Sequence, residues 1–526
     1  MKLRGWAARM AVVVLLGVLG ACRKEPPPAP ADPEVARRGR SLFQRGESAR
    51  GEPLVGLLGP ERIELSGSVA ACARCHTPSG RGSLEGGVEV PDIRPGSLRR
   101  AHPRATLDVE DHSRPPYDRA TLLRAITEGV SSSGRTLGTT MPRYVLGPSE
   151  REELLAYLET LGETPDPGIT PTTLTVGAAL PLQGRAGEAG QDVADVLRAA
   201  FAEVNAGGGI FRRRLELLVE DDTAPGPDAT TRLVKRGVLA LVGSVRRGTP
   251  DSDALLRREG VPLVLPMTLG EGAGEVDSPI FFLYPEEPVQ ARLVVQHLAR
   301  ADEEHVLRRR PLVVVRSEDG ASLGWARAAR EEALRRELPA PVELVLVDGV
   351  PGPESLQRLR QSPPPALLYA GPPAGLEALL GAMERPRLEV PVYAPARLAE
   401  PQVVAGSTLP VLFVYPPGVE NREAHLRSFS AFLQRHGLKP RHVASQLGAY
   451  AASRVLVEAL RRSGADVTRA DLMLRMEELR DFDTGVTPPV TFGVNRRVGV
   501  QGAQLVRLDA ASGRLEAASP WISLSP

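Results

Sequence analysis

Hydrophobic positions change their period along the chain, and each change marks a boundary. Residues 10–20 form an unbroken apolar run behind Lys2, Arg4 and Arg9, too short to span a membrane but suited to an export signal. After a proline-rich stretch, Asp32-Pro33 reads as helix N-cap and first helical position, and Val35, Gly39, Leu42 and Phe43 share one helical face. Ser149-Glu150-Arg151-Glu152 reads as a capping box, followed by an apolar stripe of Leu154, Leu155, Tyr157, Leu158 and Leu161. Beyond 173 the pattern becomes short apolar runs separated by helical stretches. Runs at 174–180, 215–220, 238–242 and 261–265 predict strands, and the rhythm resumes at 312–316, 342–347 and 366–369. Strands alternating with helices predict parallel sheets covered on both faces. Two such blocks joined around 281–285 predict two α/β lobes.

Composition narrows the function classes. The chain has 526 residues, 42% hydrophobic and 25% charged, with a formal net charge of +1. That length suits two or three domains, and that charge implies no nucleic-acid partner. No Ser-His-Asp set or cofactor loop marks the long C-terminal part, so an enzyme is not expected.

The three cysteines carry the candidate chemistry. Cys72-Ala73-Arg74-Cys75-His76 has the C-x-x-C-H spacing of c-type haem attachment, which predicts one covalent haem c on Cys72 and Cys75 with His76 on the iron. A zinc half-site would need a second cysteine pair, and a redox dithiol a βαβ context. Met141 is the only methionine between Met10 and Met267. Leu19-Gly20-Ala21-Cys22 resembles the bacterial lipoprotein box, which implies cleavage before Cys22 and a lipid anchor on it.

The stretch 33–161 resembles a class I cytochrome c: Gly39 and Phe43 match the crossing of first and last helices, and Met141 precedes the last one. That resemblance implies Met141 as the sixth iron ligand, with His102 and His112 as competitors, and electron transfer with a redox protein partner. The stretch 173–508 resembles the periplasmic binding proteins of the branched-chain amino acid (leucine-binding) type. Its matches are Leu180-Pro181-Leu182-Gln183-Gly184, Val204-Asn205-Ala206-Gly207-Gly208-Gly209-Ile210, Glu220-Asp221-Asp222, Val242-Gly243-Ser244 and Phe281-Phe282-Leu283-Tyr284-Pro285. Gly207–Gly209 follows a helix and precedes a strand, the reverse of a dinucleotide fingerprint. The resemblance implies a cleft for a small organic ligand, with Ser244, Thr249 and Thr268 as its hydroxyl groups. Leu323 and Pro373 stand where the family usually has tyrosines, and Arg246 and Arg247 fit either an anionic ligand or solvated loop charges.

The expected fold class is therefore multidomain: a small all-α cytochrome c domain followed by a two-lobed α/β binding domain. The expected segments are a signal peptide at 1–21, a tether at 22–33, the cytochrome at 34–162, a linker at 163–172 and the binding domain at 173–526. The expected function is electron transfer by a monohaem protein on the periplasmic side of a membrane. The alternative is a transport-type or sensory solute-binding lipoprotein whose haem senses redox state.

Overall fold

The computed structural model describes residues 32–85, 88–102, 113–163, 165–245, 249–267, 278–384 and 388–524. The export signal, Cys22, Arg246, Arg247, Thr268 and His112 lie outside them. The chain divides into two compact units, 1–164 and 165–526.

The first unit is built on two helices, Pro33–Arg45 and Pro148–Leu158. Asp32 caps the first, its carboxylate accepting from the Glu34 N–H at 2.9 Å. The second begins earlier than the Ser149 box suggests. Gly147 is its N-cap, Pro148 its first residue, and the Glu150 carboxylate accepts the Gly147 N–H at 2.8 Å. Gly39 sits where the helices touch: a Cβ there would lie 1.8 Å from the Glu153 carbonyl oxygen. Phe43 and Tyr157 meet beside it with ring centroids 5.4 Å apart.

The expectation of an all-α N-terminal domain is corrected. Val55–Leu58 pairs antiparallel with Ile63–Ser66 on one side and Arg143–Val145 on the other, and Ser83–Glu85 pairs with Val88–Val90. Gly56 lies opposite Tyr144 and Leu65, and a Cβ there would press on Pro142 at 3.0 Å. A four-residue strand with a glycine in it carries little period of its own, which hid it among the loops.

The second unit is the two-lobed α/β fold, and it makes up most of the chain. In the first lobe a five-stranded parallel sheet runs in the order Ile280–Phe281, Leu263–Val264, Leu241–Val242, Thr173–Leu180, Arg214–Asp221. Asn205 secures the turn after helix Gly187–Ala206 by exchanging two side-chain hydrogen bonds with the Leu215 backbone (2.8 and 3.0 Å). Gly209 follows at φ +73°, where a Cβ would meet the Arg213 carbonyl oxygen at 2.2 Å. That explains the Asn-x-x-Gly-Gly pattern physically.

The second lobe has parallel strands in the order Val342–Val345, Val313–Arg316, Leu367–Ala370, Val392–Pro395, Val411–Tyr415, closed by antiparallel Gly502–Leu508 and Leu515–Ala517. Leu367 and Tyr369 pack on one face and Leu368 and Ala370 on the other, so the strand reads as a continuous apolar run.

Neither lobe is continuous in sequence. Helices Arg422–Arg435 and Val443–Ser463 return to the first-lobe core, where Phe429, Phe432 and Leu456 pack with Val196 and Phe201. Among the described residues the chain passes between lobes at 282–286, 416–421 and 498–502. The first and third passages are zipped together: Phe282 N–H donates to the Arg497 carbonyl (2.7 Å), and Gly499 and Val500 N–H donate to Phe282 and Leu283 (2.9 Å each).

Arg497 fixes this junction. Its guanidinium is buried and donates to the Ser278 carbonyl (2.6 Å), the Gly493 carbonyl (2.8 Å) and the Glu477 carboxylate (2.6 Å), lying over the Phe281 ring at 4.6 Å. Removing one partner of a buried, hydrogen-bonded ion pair is expensive. Arg497→Ala is expected to destabilise the second unit by about 3 kcal/mol, measured as the denaturant midpoint of the full-length protein; a loss below about 1 kcal/mol, the range of a surface pair, contradicts this role.

Candidate functional site

In open parallel α/β sheets, ligands sit beyond the carboxyl ends of the strands. In the first lobe these ends lead into residues 181–190, 243–245 and 265–267. Asp221, at the end of its strand, shapes the first of these. Its carboxylate accepts the Leu182 N–H (2.9 Å), the Gln183 side-chain amide (2.8 Å) and Thr223, and these bonds hold its pKa far below the usual carboxylate range.

Ser244 follows strand Leu241–Val242 and is fully buried. Its hydroxyl oxygen accepts the Ala179 N–H at 3.1 Å, and its carbonyl accepts the Met267 N–H at 2.8 Å. Ser244 therefore ties three strand ends together and keeps one hydroxyl hydrogen to give. Thr249 is the N-cap of helix Pro250–Glu259, its hydroxyl accepting the Ser252 N–H at 3.2 Å. The Thr249 hydroxyl is thus engaged by the helix it starts.

The second-lobe strand ends gather charges that sequence reasoning missed. Glu287 lies in the first turn of helix Glu287–Ala301, just past the first passage. Its Oε1 accepts Arg397 Nε at 2.8 Å, and Arg397 also donates to the Gly371 carbonyl at 3.2 Å. Arg397 follows strand Val392–Pro395, and Gly371 follows Leu367–Ala370. Asp319, after Val313–Arg316, caps helix Gly320–Arg335 by accepting the Ser322 N–H (2.9 Å) and the Ser322 hydroxyl (2.7 Å). Three strand ends thus contribute to one charged cluster. The second oxygen of Glu287 is buried without a hydrogen-bond partner. Burial pushes the Glu287 pKa up, Arg397 pulls it back, and Asp319 adds to the rise. The signal in the sequence was slight, an acidic residue at the start of a helix beside a proline. Tyr284, in the first passage, is enclosed beside Tyr415, and burial raises its pKa.

In the first unit, Cys72 and Cys75 are free thiols in different surroundings. The Cys72 thiol is enclosed beside Tyr144, and burial pushes its pKa up to about 11, while Cys75 is exposed. Tyr144 donates to the Ala70 carbonyl at 2.9 Å. His76 is buried, with Nδ1 at 3.0 Å from the Pro91 carbonyl oxygen, and burial lowers its pKa. Met141 is half-buried in a loop gathered by Arg143, which donates to the carbonyls of Leu137 (2.8 Å), Gly138 (3.3 Å) and Met141. His102 pairs through its backbone with Arg114.

Two comparisons identify the fold. Residues 173–514 match the periplasmic binding protein family; that is well over half of the chain, and the chain belongs to this family. It is an extracytoplasmic binding protein and not an enzyme. The substrate-binding protein of a fatty acid ABC transporter from Thermomonospora curvata is 18% identical, with a TM-score of 0.51 over 69% of this chain and 95% of its own. A branched-chain amino acid ABC transporter protein from Thermus thermophilus with bound valine is 15% identical, with a TM-score of 0.51 over 68% of this chain and 98% of its own. At such identity these likenesses show the fold. No curated protein matches the sequence.

These findings correct the cytochrome reading. The family match and the structural likenesses are to solute-binding proteins, the N-terminal unit is not all-α, and no group of three or more His, Cys, Asp or Glu forms a metal site among the described residues. The class I cytochrome c assignment, the covalent haem c on Cys72 and Cys75 with iron held by His76 and Met141, electron transfer and the redox protein partner are withdrawn. The C-x-x-C-H spacing, with Gly39, Phe43 and Met141, had carried them.

The Glu287 pair generates a signed prediction. Because its folded pKa is raised, the stability Glu287 contributes is complete below its unfolded value and is lost as pH rises through the folded one. Glu287→Gln removes that loss. The stability of Glu287→Gln relative to wild type should therefore grow from pH 4 to pH 7 in urea unfolding; a difference that stays flat or shrinks contradicts the assigned environment.

Proposed function

We propose that the protein captures a small organic solute in the cleft between its lobes and presents it to transport or sensory machinery at the membrane, without transforming it. The observation that carries this reading is the junction of two α/β sheets by zipped passages, within a chain that belongs to the periplasmic binding protein family. Such lobes close on a ligand by hinge motion. Fatty acids, named for the transporter of the first similar structure, and valine, bound in the second, both carry a carboxylate. The free Ser244 hydroxyl hydrogen and the Arg397 guanidinium are donors suited to such a group, so a small carboxylic or amino acid is the favoured ligand class. Thr249 and Thr268 belong to the same proposed site.

Binding to the native state alone must raise the unfolding temperature. A screen of amino acids, short carboxylic acids and fatty acids against the full-length protein should give a saturable rise with at least one. Ser244→Ala should weaken that ligand by about 1 kcal/mol, roughly fivefold, through one lost hydrogen bond. A screen without any shift counts against a ligand-binding cleft. A shift untouched by Ser244→Ala and by Arg397→Ala counts against these donors.

We further propose that 1–21 is removed on export, that Cys22 carries lipid, and that the proline-rich stretch from Cys22 up to the helix cap at Asp32 serves as a tether. The charged start, the short apolar run and Leu19-Gly20-Ala21-Cys22 support this. Cys22→Ser is expected to move the protein from the membrane fraction to the soluble fraction and to abolish labelling by radioactive palmitate. Equal labelling of both proteins contradicts the anchor.

A further inference from the structure

Where the second and third passages run, the second unit holds a cavity of about 800 Å³. Of the loops that follow parallel strands, only the one at 417–421 lines it, so it is separate from the site around Ser244 and Arg397. Its walls come from both lobes: 481–496 from the first, Gln504, Trp521 and Ser523 from the second. Its volume suits a small organic molecule, within the usual range for such sites.

Two features give it chemical character. Trp521 borders it and is 36% exposed, while Trp325 is fully buried elsewhere in the lobe. Gly418, at φ +65°, leaves room for that ring: a Cβ there would lie 3.3 Å from it, and one at Gly502 would lie 2.6 Å from its Nε1. Gln504 is buried and braces the wall, its carbonyl oxygen accepting the Val419 N–H (2.9 Å) and its amide donating to the Ser519 carbonyl (3.0 Å).

Around the ring stand groups suited to hydroxyls. Glu420, Asn421 and Gln501 line the cavity, and their side chains make no hydrogen bond among the described residues. A carboxylate accepts from a hydroxyl, and an amide both donates and accepts. Arg496 is already engaged by the Val498 and Gly499 carbonyls (3.4 and 3.3 Å). Asp481 and Asp483 with Glu420 make the lining net acidic, which disfavours an anion. An apolar ring face amid planar hydrogen-bonding side chains recognises a molecule with one apolar face and many hydroxyls.

We propose that this cavity is a second binding site, for a neutral polyhydroxylated molecule of the sugar class. The test uses the full-length protein, maltose as the probe, and calorimetry beside tryptophan fluorescence. Maltose should bind saturably and change the fluorescence; gluconate should bind more weakly. Trp521→Leu should weaken maltose about tenfold, the scale of one lost aromatic contact, and Gln501→Ala should weaken it as well. Both variants should keep the wild-type response to any ligand of the Ser244 cleft, which separates this proposal from the one above. Absence of saturable maltose binding overturns it, and so does calorimetric binding that survives both substitutions in folded protein. Gluconate binding more tightly than maltose overturns the chemical class.

Discussion

The binding domain depends on one junction. Its lobes are assembled from chain segments that leave and return, and the first and third passages are locked by backbone hydrogen bonds through Phe282, Leu283, Gly499 and Val500. A buried guanidinium, Arg497, holds that seam to the first lobe by satisfying two carbonyls and the Glu477 carboxylate. Unpaired, each of those acceptors would be a buried polar atom that opposes folding.

The strand ends divide their work between holding the fold and offering chemistry. Asp221 and Asp319 are occupied with turn and helix N–H groups and so act as local architecture. Ser244 is held in the same way, its hydroxyl oxygen accepting the Ala179 N–H. The Glu287–Arg397 pair is different. A carboxylate with one oxygen paired and one buried alone is held at a cost, and raised pKa values of that kind are common where a site must respond to charge. A ligand carboxylate approaching Arg397 would compete with Glu287 for the same guanidinium.

Much of the architecture was legible because it is local. Alternation of apolar runs and helical stretches placed strand 174–180 within one residue of Thr173–Leu180, and Asn205 with its glycines marked a real turn. What was hidden is long-range. The Val55–Leu58 strand exists because Arg143–Val145 pairs with it from far along the chain, and the first lobe is completed by helices from beyond the second. The Glu287–Arg397 cluster joins residues from separate strand ends, so neither residue looked special alone. The Cys72–His76 spacing misled for the converse reason. A short motif fixes which residues are neighbours in sequence, while chemistry follows from surroundings, and here one thiol is enclosed and the other exposed.

The central claim is that the two lobes close on a captured solute. Small-angle X-ray scattering of the full-length protein, recorded with and without a mixture of small amino and carboxylic acids, tests it most directly. The account predicts a smaller radius of gyration at saturation, reached over the same concentrations that raise the unfolding temperature. Superimposable scattering curves from a protein that nevertheless binds the mixture would contradict closure of the lobes as its mode of action.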